Sequence, residues 1–317
     1  MGLRLGLVNL YLRLVMKTAL RRMKQPSEMR RQFERSASRF FAPPDGSHFV
    51  GTRIRRPGQD GEIEALWASR GRPDRRKVIL YLHGGAYLAG SPATHRHLGA
   101  ALAGAAGVRL LLPEYRLAPE HRFPAALDDA VTVYEHLQES GYGAAQIALA
   151  GDSAGGGLVF ALLLRLSAEG RPLPCCAVGF SPWVDMTGRQ SSLQRNAQSD
   201  VLLPARRMPE VVAHYLGDHD PTDPLASPVF GAWRDPPPVL LMASRSEILL
   251  DDAIALADAL RRGGGDVRLD LWRGLPHAWP LFAGVLAEAD AAVAHAGAFI
   301  ARHLAVEVDA AAAELGS

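Results

Sequence analysis

The sequence predicts an α/β protein with a doubly wound, mostly parallel sheet of about eight strands under a helical cap. Three observations carry this. Short continuous apolar runs alternate with helical segments from about residue 48 onward, as in sheets covered on both faces. One run passes through a glycine turn, Gly151-Asp152-Ser153-Ala154-Gly155, straight into a helical stretch. The interval 183–233 breaks the alternation, with prolines at 204, 209, 221, 224 and 228 and no core strand.

Composition bounds the function. A chain of 317 residues, 48% hydrophobic and 21% charged, holds one large domain with a real core. A net charge of +2 does not supply the basic face that nucleic-acid binding needs. Cys175 and Cys176 are adjacent and sit in a strand-like run, so they read as core residues of a reducing, cytoplasmic protein.

At the N-terminus, Leu3, Leu7, Leu10 and Leu14 fall at helical spacing among Arg4, Arg13, Lys17, Arg21, Arg22 and Lys24. Arg13 and Lys17 interrupt the apolar core of a signal peptide, and no stable membrane span of about 20 uncharged residues exists. Gly6 breaks the myristoylation pattern. The segment is an amphipathic helix, packed on the body or lying at a membrane interface.

Strands follow at 48–55 and 62–69, a hairpin at the sheet edge, then at 77–82 and 108–115. A helix opened by Pro124 shows Leu127, Val131, Tyr134 and Leu137 on one face. Strand 146–150 enters the glycine turn and helix 154–167, and strand 175–180 ends at Ser181-Pro182. Strand 238–243, a helix 251–262 stopped by Gly263-Gly264-Gly265, and strand 267–272 come next. A last helix over about 286–304 leads to a frayed tail. With one helix at 206–216, the odd interval joins the N-terminal helices as a cap over the carboxyl edge of the sheet. The expected division is a body of 46–184 and 234–317, and a cap of 1–45 and 185–233.

The glycine turn fits G-x-S-x-G between a strand and a helix, which marks Ser153 as a nucleophile. Side chains at 151 and 155 would collide with neighbouring chain on so sharp a turn. His83-Gly84-Gly85-Ala86-Tyr87, after strand 77–82, is expected to direct backbone N–H groups at a tetrahedral oxyanion. The expected donors are Gly84, Gly85 and Ala154.

These two elements run with Tyr115-Arg116-Leu117-Ala118-Pro119-Glu120-His121, Ser181-Pro182-Trp183-Val184-Asp185, Glu247-Ile248-Leu249-Leu250-Asp251-Asp252 and Pro276-His277. In that order the chain resembles the hormone-sensitive-lipase family of α/β-hydrolases, the bacterial family IV esterases. The resemblance implies the α/β-hydrolase fold, hydrolysis of short- to medium-chain acyl esters, an apolar pocket under the cap and no cofactor. It also leaves a homodimer through the last strand and helix open to the chain. Ala86 departs from the family, which often has a third glycine there; a slightly tighter loop is expected.

In this fold the base follows the serine. His277 lies in a loop after the last strand, whereas His295 and His303 fall in the last helix. Three carboxylates follow strand 238–243. Asp251 and Asp252 open a helix, where dipole and capping account for them. Glu247 lies in the loop, where the family's acid stands, usually as Asp. Tyr87, Asp152 and Trp183 are expected around the substrate pocket, with Asp185 a pocket-floor or structural carboxylate. His83 reads as a loop-ordering group. His95 and His97 are read on a short loop without partners at ligand spacing, so no metal is expected. A prolyl-oligopeptidase would need a large extra domain, and a non-catalytic receptor on this fold should lack a triad member.

Overall fold

The computed structural model describes residues 2–23, 25–58 and 61–314. Eight strands form one sheet in the order β1-β2-β4-β3-β5-β6-β7-β8. β1 (Ser47–Arg55) and β2 (Glu62–Arg70) make the edge hairpin, with Ser47 opposite Arg70 and Arg55 opposite Glu62. β2 also runs antiparallel to β4 (Val108–Pro113). The remaining pairings, through β3 (Asp74–Leu82), β5 (Ile147–Asp152), β6 (Cys176–Phe180), β7 (Val239–Ser244) and β8 (Val267–Trp272), are parallel.

Both faces are covered, which is why the central strands read as unbroken apolar runs. Side chains alternate along β3. Val78, Leu80 and Leu82 pack with α5 (Ala125–Glu139), α6 (Ser153–Ala168) and α9 (Leu250–Arg262). Ile79 and Tyr81 pack on the other face with α4 (Pro92–Ala106) and α10 (Ala287–Glu314). Cys176 is buried in this second layer and Cys175 partly so, both as free thiols. Winding reverses at β3, which lies between β4 and β5. The loops after β3 and β5 therefore leave from neighbouring carboxyl ends, where open α/β sheets bind ligands.

Two elements differ from expectation. α4 stands where the sequence suggests a short loop carrying His95 and His97. Its alanines and glycines give no leucine stripe, but its ends carry the true signals. Ser91 and Thr94 form a reciprocal capping box, and Gly107 closes the helix at φ 68°. The last helix runs to Glu314, past its expected end near 304. Residues 315–317 of the expected tail lie outside the described residues.

Within 183–233 the described residues form no strand, only α7 (Ser192–Arg195), α8 (Met208–Leu216) and short 3-10 turns. At the N-terminus, α1 (Leu3–Tyr11) passes through a π-helical turn, Leu12–Met16, into α2 (Lys17–Arg22), and α3 (Pro26–Phe40) follows. The two regions are tied together. Buried Lys17 donates to the carbonyls of Ala197 (2.9 Å) and Asp200 (2.5 Å). Arg207 donates to those of Leu20 (3.0 Å) and Met23 (2.5 Å). Arg30 of α3 reaches back to the body through the carbonyls of Leu88 (2.8 Å) and Ala118 (2.9 Å).

Candidate active site

β5 ends at Asp152 and α6 begins at Ser153, whose φ of 53° lies in the left-handed region. This strain is what a serine displayed on a sharp strand-to-helix turn requires. A Cβ at Gly151 would lie 2.5 Å from the Gly155 carbonyl oxygen, and one at Gly155 only 2.1 Å from that of Leu82. The turn closes only because both positions lack a side chain.

Ser153 Oγ is 2.9 Å from His277 Nε2, and His277 Nδ1 is 2.5 Å from Glu247 Oε2. Glu247 is fully buried, and its other oxygen accepts the Ser244 N–H at 2.7 Å. The His277 loop is held by Ser244 Oγ on the Leu275 carbonyl (2.7 Å) and by the Ala278 N–H on Ser181 Oγ (3.1 Å). Burial alone would lower the His277 pKa. The hydrogen bond and charge of Glu247 outweigh it and hold the imidazole above its ordinary value.

Two residues outside the sequence expectation hold the Glu247 loop. Asn196 donates to the Glu247 carbonyl at 2.8 Å. Asp200 accepts the Ile248 N–H on one oxygen (3.0 Å) and those of Leu202 and Leu203 on the other (2.8 Å each). Only turn-forming residue type marked them in the sequence, and many loop positions share it. Asp251 is occupied elsewhere, by Ser191 Oγ (2.7 Å), the Ser192 N–H (2.8 Å) and Arg195 (2.7 Å). Asp252 takes the N–H groups of Val184 (3.1 Å) and Asp185 (3.0 Å). Both stand in the first turn of α9, yet they also bind the segment after β6.

The loop after β3 requires a correction. The Gly84 N–H donates to Asp152 Oδ1 at 3.0 Å, so it cannot serve the oxyanion as expected. Gly85 and Ala86, at φ 122° and 59°, line the cavity beside Ser153 instead. A Cβ at Gly85 would meet the Ala89 carbonyl oxygen at 2.1 Å. Ala86 and Tyr87 (φ 59°) both adopt left-handed backbone, so the missing third glycine leaves strain rather than only a tighter loop. Ala154 sits in the first turn of α6, where helix N–H groups have no intrahelical acceptor.

Asp152 is the anchor of this arrangement. It accepts Tyr81 Oη–H at 2.8 Å as well as the Gly84 N–H, and His95 Nε2 of α4 lies 3.4 Å away. Burial would raise its pKa, but the neighbouring His95, Tyr81 and Gly84 donors hold it below the usual carboxylate value. His83 is buried, with Nδ1 2.9 Å from the Gly84 carbonyl and its ring stacked on Tyr115 at 4.2 Å. Burial pushes its pKa down to about 3, so it is a neutral ring that orders the loop. His97 Nε2 bonds the Leu281 carbonyl at 2.7 Å.

Ser153, His277, Gly85, Ala86 and Asp152 face a cavity of about 120 Å³. Its walls are apolar, from Met29 and Phe33 of α3 and from Leu202, Leu203 and Val211 of the opposite segment. Tyr87 and Trp183 are not among its walls, contrary to expectation, and Asp185 takes the structural one of its two expected roles. Tyr87 is buried in a stack on Tyr215, with centroids 3.8 Å apart. Ser181 (φ 47°) turns the chain so that Trp183 passes beside α6, 2.2 Å from where a Gly157 Cβ would stand. The Asp185 carboxylate is spent on the Thr187 N–H (2.8 Å) and Gln190 Nε2 (3.0 Å). Trp183 and Asp185 line a separate cavity of about 270 Å³.

The eight-stranded sheet, with a strained serine at the carboxyl end of its central strand, defines an α/β-hydrolase. A family profile described as alpha/beta hydrolase fold matches residues 79–281. Over 240 residues the chain is 42% identical to an acetyl-hydrolase of Streptomyces hygroscopicus, covering 76% of this chain and 80% of that protein. It is 33% identical to an ethyl acetate hydrolase of Pseudomonas putida over 287 residues, 84% and 86% of the two chains. The crystal structure of an esterase from the bacterial hormone-sensitive lipase family is similar at TM-score 0.89 and 37% identity, covering 96% of this chain and 99% of that one. The chain belongs to the hormone-sensitive-lipase family of α/β-hydrolases and is a serine carboxylesterase.

Proposed function

We propose that this enzyme hydrolyses short- to medium-chain acyl esters through a Ser153–His277–Glu247 triad and an acyl-enzyme intermediate. The observation that carries the reading is the unbroken line of hydrogen bonds from Ser153 Oγ through the imidazole to a fully buried carboxylate. His277 Nε2 takes the hydroxyl proton as Ser153 Oγ attacks the ester carbonyl, while Glu247 fixes the Nδ1–H tautomer. The oxyanion rests on the N–H groups of Gly85, Ala86 and Ala154. Collapse expels the alcohol, which takes the proton from His277. Water, deprotonated by the same nitrogen, then releases the acid and frees Ser153.

Segments 1–45 and 185–233 act as the cap over a body of 46–184 and 234–317, since both segments wall the Ser153 cavity. At about 120 Å³ that cavity is well below the roughly 300–1,000 Å³ of sites for drug-sized ligands, which favours small acyl groups. The names of the acetyl-hydrolase and ethyl acetate hydrolase relatives point the same way.

Turnover of p-nitrophenyl esters of increasing chain length tests the reading. Acetate and butyrate should be cleaved best, with Ser153→Ala reducing kcat by at least about 10⁴-fold. Wild-type turnover in Ser153→Ala would overturn the mechanism, and a maximum at long chains would overturn the substrate class.

A further inference from the structure

A surface helix normally buries one apolar stripe and turns polar residues outward. α1 does not. Leu5 of α1, with Leu12 and Met16 of the following π turn, is buried against the body. On the opposite side Leu3, Leu7, Leu10 and Leu14 are 83%, 59%, 53% and 62% exposed. At 3.6 residues per turn, Leu3, Leu7 and Leu10 fall within about 60° of one another, and Leu14 continues the stripe. Exposed Arg4 and Arg13 lie roughly 90° to either side of it. Arg21 and Arg22 are exposed further along, and the first acidic residue of the chain is Glu28. Lys24 lies outside the described residues.

A second observation points inward from the same face. An apolar cavity of about 320 Å³ lies between α1, α3 and the turn Trp279–Phe282. Its outer wall includes Leu7 and Phe40, both exposed. Its inner wall includes Phe33, Leu202 and Leu281, which also line the Ser153 cavity. The cavity behind the exposed leucines and the cavity of Ser153 thus share one apolar wall.

We propose that the outer face of α1 docks on an anionic lipid leaflet, with the leucines in the acyl boundary and the flanking arginines on the headgroups. Charge selects this occupant over a second copy of the chain. Two such faces packed together would set arginine against arginine with no carboxylate between them. An ester taken up from the leaflet then has only this apolar wall of Phe33, Leu202 and Leu281 between it and the Ser153 cavity. This last step rests on the triad reading, whereas the docking does not.

The test is vesicle flotation of the full chain carrying Ser153→Ala, which leaves lipid intact whatever the enzyme cleaves. Vesicles of phosphatidylcholine alone are compared with vesicles holding about 30% phosphatidylglycerol. The protein should float with the anionic vesicles. Leu3→Ser/Leu10→Ser/Leu14→Ser should bind at least about tenfold more weakly, and Arg4→Gln/Arg13→Gln should lose the preference for anionic lipid. With Ser153 restored, both variants should keep wild-type turnover of p-nitrophenyl acetate, and their circular dichroism reports folding separately. Absence of flotation, equal flotation of the leucine variant, or a dimer in analytical ultracentrifugation that the leucine variant dissolves would each overturn the docking.

Discussion

Asp152 and Gly84 are joined by a hydrogen bond of 3.0 Å that links the ends of β3 and β5. The carboxylate next to Ser153 thereby fixes the loop that carries Gly85 and Ala86. Asp152→Ala leaves the Tyr81 hydroxyl and the Gly84 N–H buried without this acceptor, at a cost of about 2–4 kcal/mol. Thermal unfolding should detect that loss, and kcat should fall with KM little changed. The pKa of Asp152 is depressed in the fold, so its stabilisation is present above the unfolded value of about 3.9. That contribution disappears as pH falls through the lower folded value. The difference in stability between wild type and Asp152→Ala should therefore narrow in acid.

Glu247 and Asp251 are both carboxylates after β7, but only Glu247 reaches His277. Glu247→Gln should lower kcat by about 10³–10⁴-fold by releasing the tautomer. Asp251→Asn should stay within about twofold of wild type, since its partners are Ser191, Ser192 and Arg195. Protonated His277 cannot act as base, so kcat/KM should fall on the acid side below a pKa above the ordinary histidine value of about 6.5. Removing the Glu247 charge leaves burial dominant, and the residual activity of Glu247→Gln should extend to lower pH. A pH–rate profile unmoved by that substitution would count against Glu247 as the acid.

Two substitutions between glycine and alanine should act with opposite sign. Gly155→Ala drives a methyl into the Leu82 and His83 carbonyl oxygens, 2.1 and 2.3 Å from the new Cβ, and should cost at least about 3 kcal/mol. Ala86→Gly relieves a left-handed alanine and should raise stability by up to about 1 kcal/mol while keeping activity. Denaturant titrations of the two variants check both signs.

Much of the fold was legible because its signals are local. Unbroken apolar runs located six of the eight strands to within a few residues, and the edge hairpin showed in the alternation of 48–55 and 62–69. Ser153 and His277 were legible from a glycine turn and from a histidine outside any helical pattern, and the structure brings them within 2.9 Å. What escaped is non-local. Whether the Gly84 N–H is free to donate depends on the rotamer of Asp152, in another strand. Trp183 and Asp185 follow β6, the sheet neighbour of β5, but after the turn at Ser181 the chain passes beside α6 at Trp183. Tyr87 directly follows Gly85 and Ala86, which line the cavity, yet a stack on Tyr215 takes it inward. α4 was missed because alanine and glycine bury well without leaving a stripe.

The Asp200 carboxylate meets the acid loop at Ile248 and the pocket wall at Leu202 and Leu203, while its carbonyl receives Lys17 from the N-terminal helices. N-terminal helices, pocket wall and the Glu247 loop thus share one joint. A crossover that replaced the N-terminal helices alone would arrive with a joint cut for another enzyme. Exchanging those helices would therefore disturb the Glu247 loop as well as the pocket wall.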